Sequence, residues 1–298
     1  MKSGFDVSLA CIACAALLQA CGGGGGGGTA PFPAATAEPS PDTPSQSDPG
    51  PTPSEEAPRF VATDAAEYLL VGPSTRAEDL SGFEQNAKGA MTRLENLSLS
   101  GDFVVANVEA TTEYAMGRWV DGTVTYSGGE KPQSYVLRGD AEGSSFHYLV
   151  FNPATSWPET GEARCDAGVF STPTYDRGNF NDPMYYAGEP GAHSGTGTAS
   201  GSAQLRFENG PQISGEITVV ADGASGTVLL EPEAIVRHIQ FVPPRALSGS
   251  YFQNSSNNSF GAETVLASAA RGFYLMSGYA TVLSNGARYV GVARFHCE

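Results

Sequence analysis

The chain has 298 residues, with 32 Asp and Glu against 16 Lys and Arg, for a formal net charge of −16 at pH 7. Nucleic acid and anionic lipid surfaces are held by clustered Lys and Arg, so this balance argues against both as partners and favours solubility, or a basic partner. With 37 Gly and 20 Pro, the chain is rich in turn formers, which suits many short strands better than a few long helices.

Taken from the N-terminus, Lys2 supplies a positive start and residues 9–18 (LACIACAALL) a short apolar run. That pattern is a secretory signal, and it is far shorter than the roughly 20 residues a membrane-spanning helix needs. Leu18-Gln19-Ala20-Cys21 resembles the lipobox of bacterial lipoproteins. On that resemblance residues 1–20 are removed, Cys21 becomes the first mature residue and carries lipid (palmitate among the chains), and the protein is anchored in the outer membrane. Seven glycines follow Cys21, and residues 29–58 are built from Pro, Ser, Thr, Ala and acids, with Phe32 as the only large apolar side chain. Such a stretch buries too little to offset its ordering entropy and reads as a disordered tether with a reach of about 50–100 Å.

Residues 59–298 then read as one secreted β domain. Its opening is mixed: 65–70 (AAEYLL) and 87–94 (AKGAMTRL) suggest short helical turns, separated by the breaker Gly72-Pro73. From Leu97 onward the signals are strands, expected at 103–108, 118–126, 134–138, 146–151, 195–207, 213–220, 227–230, 235–241, 247–252, 264–268, 272–283 and 287–295. Ala203, Leu205 and Phe207 alternate with Ser202, Gln204 and Arg206, as do Ile213, Ile217 and Val219 with Ser214, Glu216 and Thr218. Asn209-Gly210, Asp222-Gly223 and Ser284-Asn285-Gly286 readily take positive φ, so each marks a hairpin. The expected fold is all-β: an antiparallel up-and-down barrel of about eight strands, with additional N-terminal strands (59–194) and a long irregular loop at 152–194. A two-sheet sandwich is the competing architecture.

Once the signal and Cys21 are set aside, Cys165 and Cys297 remain, and an oxidising compartment makes a disulfide between them the economical inference. It would close a loop of about 130 residues and contribute up to roughly 5 kcal/mol. No nucleophile elbow, zinc-binding helix motif or phosphate loop stands out, and no catalytic residue, cofactor or metal site is assigned. The four histidines, His147, His193, His238 and His296, read as packed or solvated strand residues. Asp176 to Asp182 spaces oxygen ligands as a hard cation requires but lacks a bidentate Glu, so a solvated turn is expected.

The strand containing Leu205-Arg206-Phe207, the turn Asn209-Gly210-Pro211-Gln212 with the strand Ile213-Ser214-Gly215, and the section Leu247-Ser248-Gly249-Ser250-Tyr251-Phe252 resemble the β-barrel domain shared by transferrin-binding protein B and related surface lipoproteins, including factor H-binding proteins. The Gly-Pro-Asn-Ala-like turn of that family is replaced here by Gln253-Asn254-Ser255-Ser256. The resemblance covers 195–297 and implies a barrel displayed on the cell surface by a lipid and a Gly-rich tether, binding a macromolecule through variable loops. Trp157, Tyr185 and Tyr186, in the long loop, are the aromatic side chains best suited to anchor such a partner. The expectation is a monomeric, non-enzymatic binding module for a host or environmental macromolecule. The alternative is a periplasm-facing carrier with an apolar molecule inside the barrel, or an envelope-structural lipoprotein.

Overall fold

A computed structural model describes residues 57–72, 76–140, 145–176, 195–230 and 261–298, all within the unit Pro53–Glu298. Every regular element among them is a strand, paired antiparallel throughout. The fold is all-β and barrel-like, as the alternation patterns predict.

The N-terminal sheet contains β1 (Glu67–Val71), β2 (Arg76–Asp79), β3 (Phe83–Gln85), β4 (Met91–Leu94), β5 (Leu97–Ala110), β6 (Tyr114–Tyr126), β7 (Gln133–Arg138) and β8 (Phe146–Phe151), in the order β2-β1-β8-β6-β5-β4-β3, with β7 also pairing β6. It curls around a core of Tyr68, Leu70, Met91, Leu94, Trp119, Phe146, Tyr148 and Val150. Trp119 Nε1 donates to the Met91 carbonyl at 2.7 Å, which satisfies the one polar atom of the largest core side chain. Gly117 lies opposite Tyr148 in the β6–β8 register, and a Cβ placed there would come within 2.2 Å of the Tyr148 hydroxyl. Glycine is what lets the tyrosine ring lie flat across its neighbour strand.

The helical turns expected at 65–70 and 87–94 do not form; those residues enter β1 and β4. In β1, Tyr68 and Leu70 enter the curled core while Leu69 and Val71 face the opposite side, so a run buried on both faces imitates a helical apolar stripe. Before β4, the Asn86 carboxamide accepts from the backbone N–H groups of Lys88 and Ala90, and Gly89 takes φ +82°. That side-chain-capped turn makes a β3–β4 hairpin where propensity suggested a helix.

The C-terminal half holds two further sheets. One contains β9 (Thr160–Arg164), β12 (Thr198–Glu208), β13 (Pro211–Ala221) and β14 (Ala224–Leu230), ordered β14-β13-β12-β9. The other contains β10 (Val169–Phe170), β11 (Thr174–Tyr175), β15 (Gly261–Ser268), β16 (Phe273–Val282) and β17 (Arg288–Cys297), ordered β10-β17-β16-β15, with β11 also on β17. The predicted Asn-Gly and Asp-Gly hairpins are present: Asn209 and Asp222 take φ +57° and +50°, each followed by a positive-φ glycine. The stretch 152–194, expected to be irregular throughout, supplies β9, β10 and β11. These are recruited by partners far along the chain: Leu205↔Ala163 for β9, Val169↔Arg294 for β10 and Thr174↔Val290 for β11. Two-residue strands carry no periodic signal of their own. The expected strands at 235–241 and 247–252 lie outside the described residues.

These two sheets enclose one core, with Leu205, Ile217, Leu266, Leu275, Tyr279, Tyr289, Ala293 and Phe295 all fully buried. Each large apolar side chain so buried contributes about 1.5–3 kcal/mol. Where β9 runs out against the chain's end, Arg164 N donates to Glu298 O at 2.8 Å and Glu298 N to Arg164 O at 3.0 Å. Cys165 and Cys297, 132 residues apart, are disulfide-bonded at the same place. The opposite face of β16 and β17 (Tyr274, Met276, Ala280, Val290, Val292) packs against Leu69, Val71, Tyr114, Met116, Leu149 and Phe151 of the N-terminal sheet. β8, with every residue buried, therefore feeds two cores at once.

Candidate functional site

Three polar constructions stand out along the seam between the N-terminal sheet and β15–β17. The first is an open cleft of about 520 Å³, where the lead-in at 63–65, the β5–β6 turn, the segment after β8 and the β15–β16 turn converge. Asn152 fixes one wall: its carboxamide oxygen accepts from Thr63 N at 2.8 Å and Thr63 Oγ1 at 3.0 Å, and its Nδ2 donates to Val61 O at 2.9 Å. The Asn152 carbonyl also accepts from Ser268 N at 2.9 Å. Glu113 fixes the other wall, accepting from Ala270 N and, at 2.9 Å, from the Tyr274 hydroxyl. Burial and the Glu113 carboxylate push the Tyr274 phenol up to about 12. The cleft is lined by hydroxyls, an amide, two carboxylates (Asp64 and Glu113) and small apolar groups, without Lys, Arg or an aromatic ring.

The second centres on Arg294 of β17. Its guanidinium donates through Nη1 to Asp166 at 2.7 Å and through Nη2 to Glu109 at 2.8 Å, and lies 5.5 Å and 5.8 Å from the Tyr114 and Tyr274 rings. Glu109 also accepts from the Tyr114 hydroxyl, and Asp166 accepts from Gly168 N and His296 N. A planar fork with two carboxylates, set beside the Tyr114–Tyr274 ring pair, is a rigid structural tie between β5, the 166–168 turn and β17.

The third surrounds His147 of β8, which is fully buried on the seam side. Its Nδ1 lies 2.7 Å from Ser171 Oγ and its Nε2 2.7 Å from Thr174 Oγ1. Ser171 Oγ also accepts from Val292 N at 3.0 Å. A neutral imidazole donates from one nitrogen and accepts at the other, and two hydroxyls satisfy either tautomer. Burial, then the charge of Arg118, hold the ring's pKa well below 6.5. Both ring nitrogens are thus engaged by hydroxyls inside the fold, and His147 joins β8 to the segment 171–174.

The residues expected to carry binding fall as follows. Trp157 is half-buried and packs against the C-terminal core, which restricts the indole surface open to a partner. Tyr185 and Tyr186 lie outside the described residues, as does the lipidation position Cys21. In the segment 176–182, expected to be a solvated turn, Asp176 is instead buried and ion-paired to Arg288 at 3.3 Å, so its carboxylate is already engaged; Arg177 to Asp182 are outside the described residues. Among the described residues, no group of three or more His, Cys, Asp or Glu side chains is arranged to hold a metal ion. The seam residues Asn152, Glu113, Ser171 and Thr174 carried no sequence signal. Arg118 and Arg294 did carry one, as cations set within largely apolar stretches (YAMGRWV and VARF).

No family model, no curated protein and no solved structure matches the chain.

Proposed function

We propose that the protein is an exported lipoprotein, anchored through Cys21 in the outer membrane and tethered by residues 22–58, whose β body binds a macromolecule from outside. The observation that carries this reading is the filled C-terminal core. Leu205, Ile217, Leu266, Leu275, Tyr279, Tyr289 and Phe295 occupy the interior at zero exposure, which weighs against an apolar ligand inside a barrel. Recognition then belongs to the outer surface and its loops. The resemblance of 195–297 to the barrel of transferrin-binding protein B and related surface lipoproteins points the same way, and the net charge of −16 favours a basic contact surface on the partner.

Trypsin treatment of intact cells tests the location on which this depends. From Cys21 to Pro58 there is no Lys or Arg, so the exposed Arg59 is the first cleavable position. Release of the β body from unbroken cells, with a periplasmic marker protected and with Cys21→Ser abolishing palmitate incorporation, is the expected result. Protection until the outer membrane is breached would sink the surface reading and leave an envelope-structural role.

A further inference from the structure

We infer that His147 is a latch that holds the strap formed by β10, residues 171–173 and β11 against the N-terminal sheet, and that acid releases this strap. The strap is short, and its β-pairing is sparse. It meets β17 through Val169↔Arg294, Phe170↔Ala293, Thr174↔Val290 and Tyr175↔Tyr289, with Ser171 N donating to Val292 O at 2.9 Å and Asp176 N to Arg288 O at 2.9 Å. The next described chain closes on it: Thr174 bridges Thr196, Tyr175 N donates to Gly195 O at 3.2 Å, and Gly197 N donates to Pro173 O at 2.9 Å. One side chain from across the seam grips the hydroxyls of Ser171 and Thr174 together, and that side chain is His147. Thr172 N also ties the strap to the N-terminal sheet, donating to the Asn107 carboxamide at 3.1 Å, and Val169 packs against the seam core.

The surroundings of the ring determine what a proton does. From β6, Arg118 stands in register with His147 and, after burial, its charge disfavours protonation of the ring; Arg118 is itself paired with Asp140 and bonded to Ser145 and Asn107. The strap presents neutral hydroxyls, β1 presents Val71 in register, and the seam face of β17 presents Val290 and Val292. The carboxylates nearest along the strap are occupied, Asp176 by Arg288 and Asp166 by Arg294. An imidazolium in this position would be desolvated and would face a guanidinium, with no free carboxylate among the described residues around it to offset either cost. Opening the strap returns the ring to water, where it takes up a proton near pH 6.5. Each pH unit below that value therefore favours the open strap about tenfold, for as long as the closed ring stays neutral.

The test is amide hydrogen exchange on the intact, oxidised protein between pH 7.5 and 5, corrected for the intrinsic exchange rate at each pH. The strap amides Ser171 and Tyr175, the following Asp176 amide and the Gly197 amide bonded to Pro173 are expected to lose protection about tenfold per unit below 6.5, while amides of the β12–β13 ladder hold theirs. His147→Gln removes the titrating group, and its strap protection is expected to be flat over the same range. Equal loss at strap and ladder, no loss at all, or the same slope in His147→Gln would each overturn the latch. Should that variant fail to fold, the ring's own ¹⁵N shifts in the wild-type protein decide: a protonated His147 in the closed state at pH 6 overturns the proposal.

Discussion

Glu67 offers the sharpest test of the electrostatics. It opens β1 directly opposite Asp79 of β2, two carboxyl groups side by side on paired strands. Burial first, and the Asp79 charge second, push its pKa from 4.5 to about 7. Unfolding returns it to the ordinary value, so between pH 4.5 and 7 the folded chain keeps a proton that the unfolded chain has lost. Stability from this group is therefore fully present below about pH 4.5 and falls away as pH rises through 7. The gap is worth at most about 3.5 kcal/mol at about 1.4 kcal/mol per pH unit, and about 2 kcal/mol after allowance for partial solvent screening. Glu67→Gln keeps the shape of the proton-bearing carboxyl and cannot ionise. Urea unfolding at pH 5, 6, 7 and 8, with the disulfide intact, should show the variant close to wild type at pH 5 and about 2 kcal/mol more stable at pH 8. Parallel curves, with the same difference at every pH, would refute the reasoning; Asp79→Asn should recover a smaller part of the gain.

Other expectations follow from steric and covalent features. Gly117→Ala forces a methyl group into the Tyr148 ring, which is pinned by Trp119 at 6.0 Å and by the Met91 N–H at 3.1 Å; thermal unfolding should register a loss of about 3 kcal/mol, largely relieved when Tyr148→Leu is added. Removing the disulfide by Cys165→Ser with Cys297→Ser frees a 132-residue separation and should cost up to about 5 kcal/mol on the chain-entropy model, read from urea midpoints. Arg294→Lys loses the fork that reaches Asp166 and Glu109 together; a loss of about 1–3 kcal/mol is expected, and an unchanged melting temperature would show that the tie is idle.

Much of the fold was legible. Period-two alternation placed the ends of β12 and β13 to within three residues, because one face of each meets water and the other the core. Asn209-Gly210 and Asp222-Gly223 fixed their hairpins through local backbone preference alone. The Cys165–Cys297 link was expected from cysteine count and an expected oxidising compartment, and the two are bonded. The helical turns were misread at 65–70 and 87–94 because strands buried on two faces lose alternation, and because one asparagine side chain caps a turn that propensity does not see. The seam polar groups were invisible for another reason: Asn152, Glu113 and Ser171 meet partners 89, 157 and 121 residues away.

By itself, the sequence determined that the body is all-β, that it is strongly acidic, which turns its strands make and which cysteines pair, since these depend on local backbone chemistry, composition and counting. Only the tertiary structure decided that β8 and β1 serve two cores, that β9, β10 and β11 are strands at all, and that His147 grips Ser171 and Thr174 across the seam. Those outcomes depend on which distant surfaces meet, and burial of paired strands has no signature along the chain until both partners are in place.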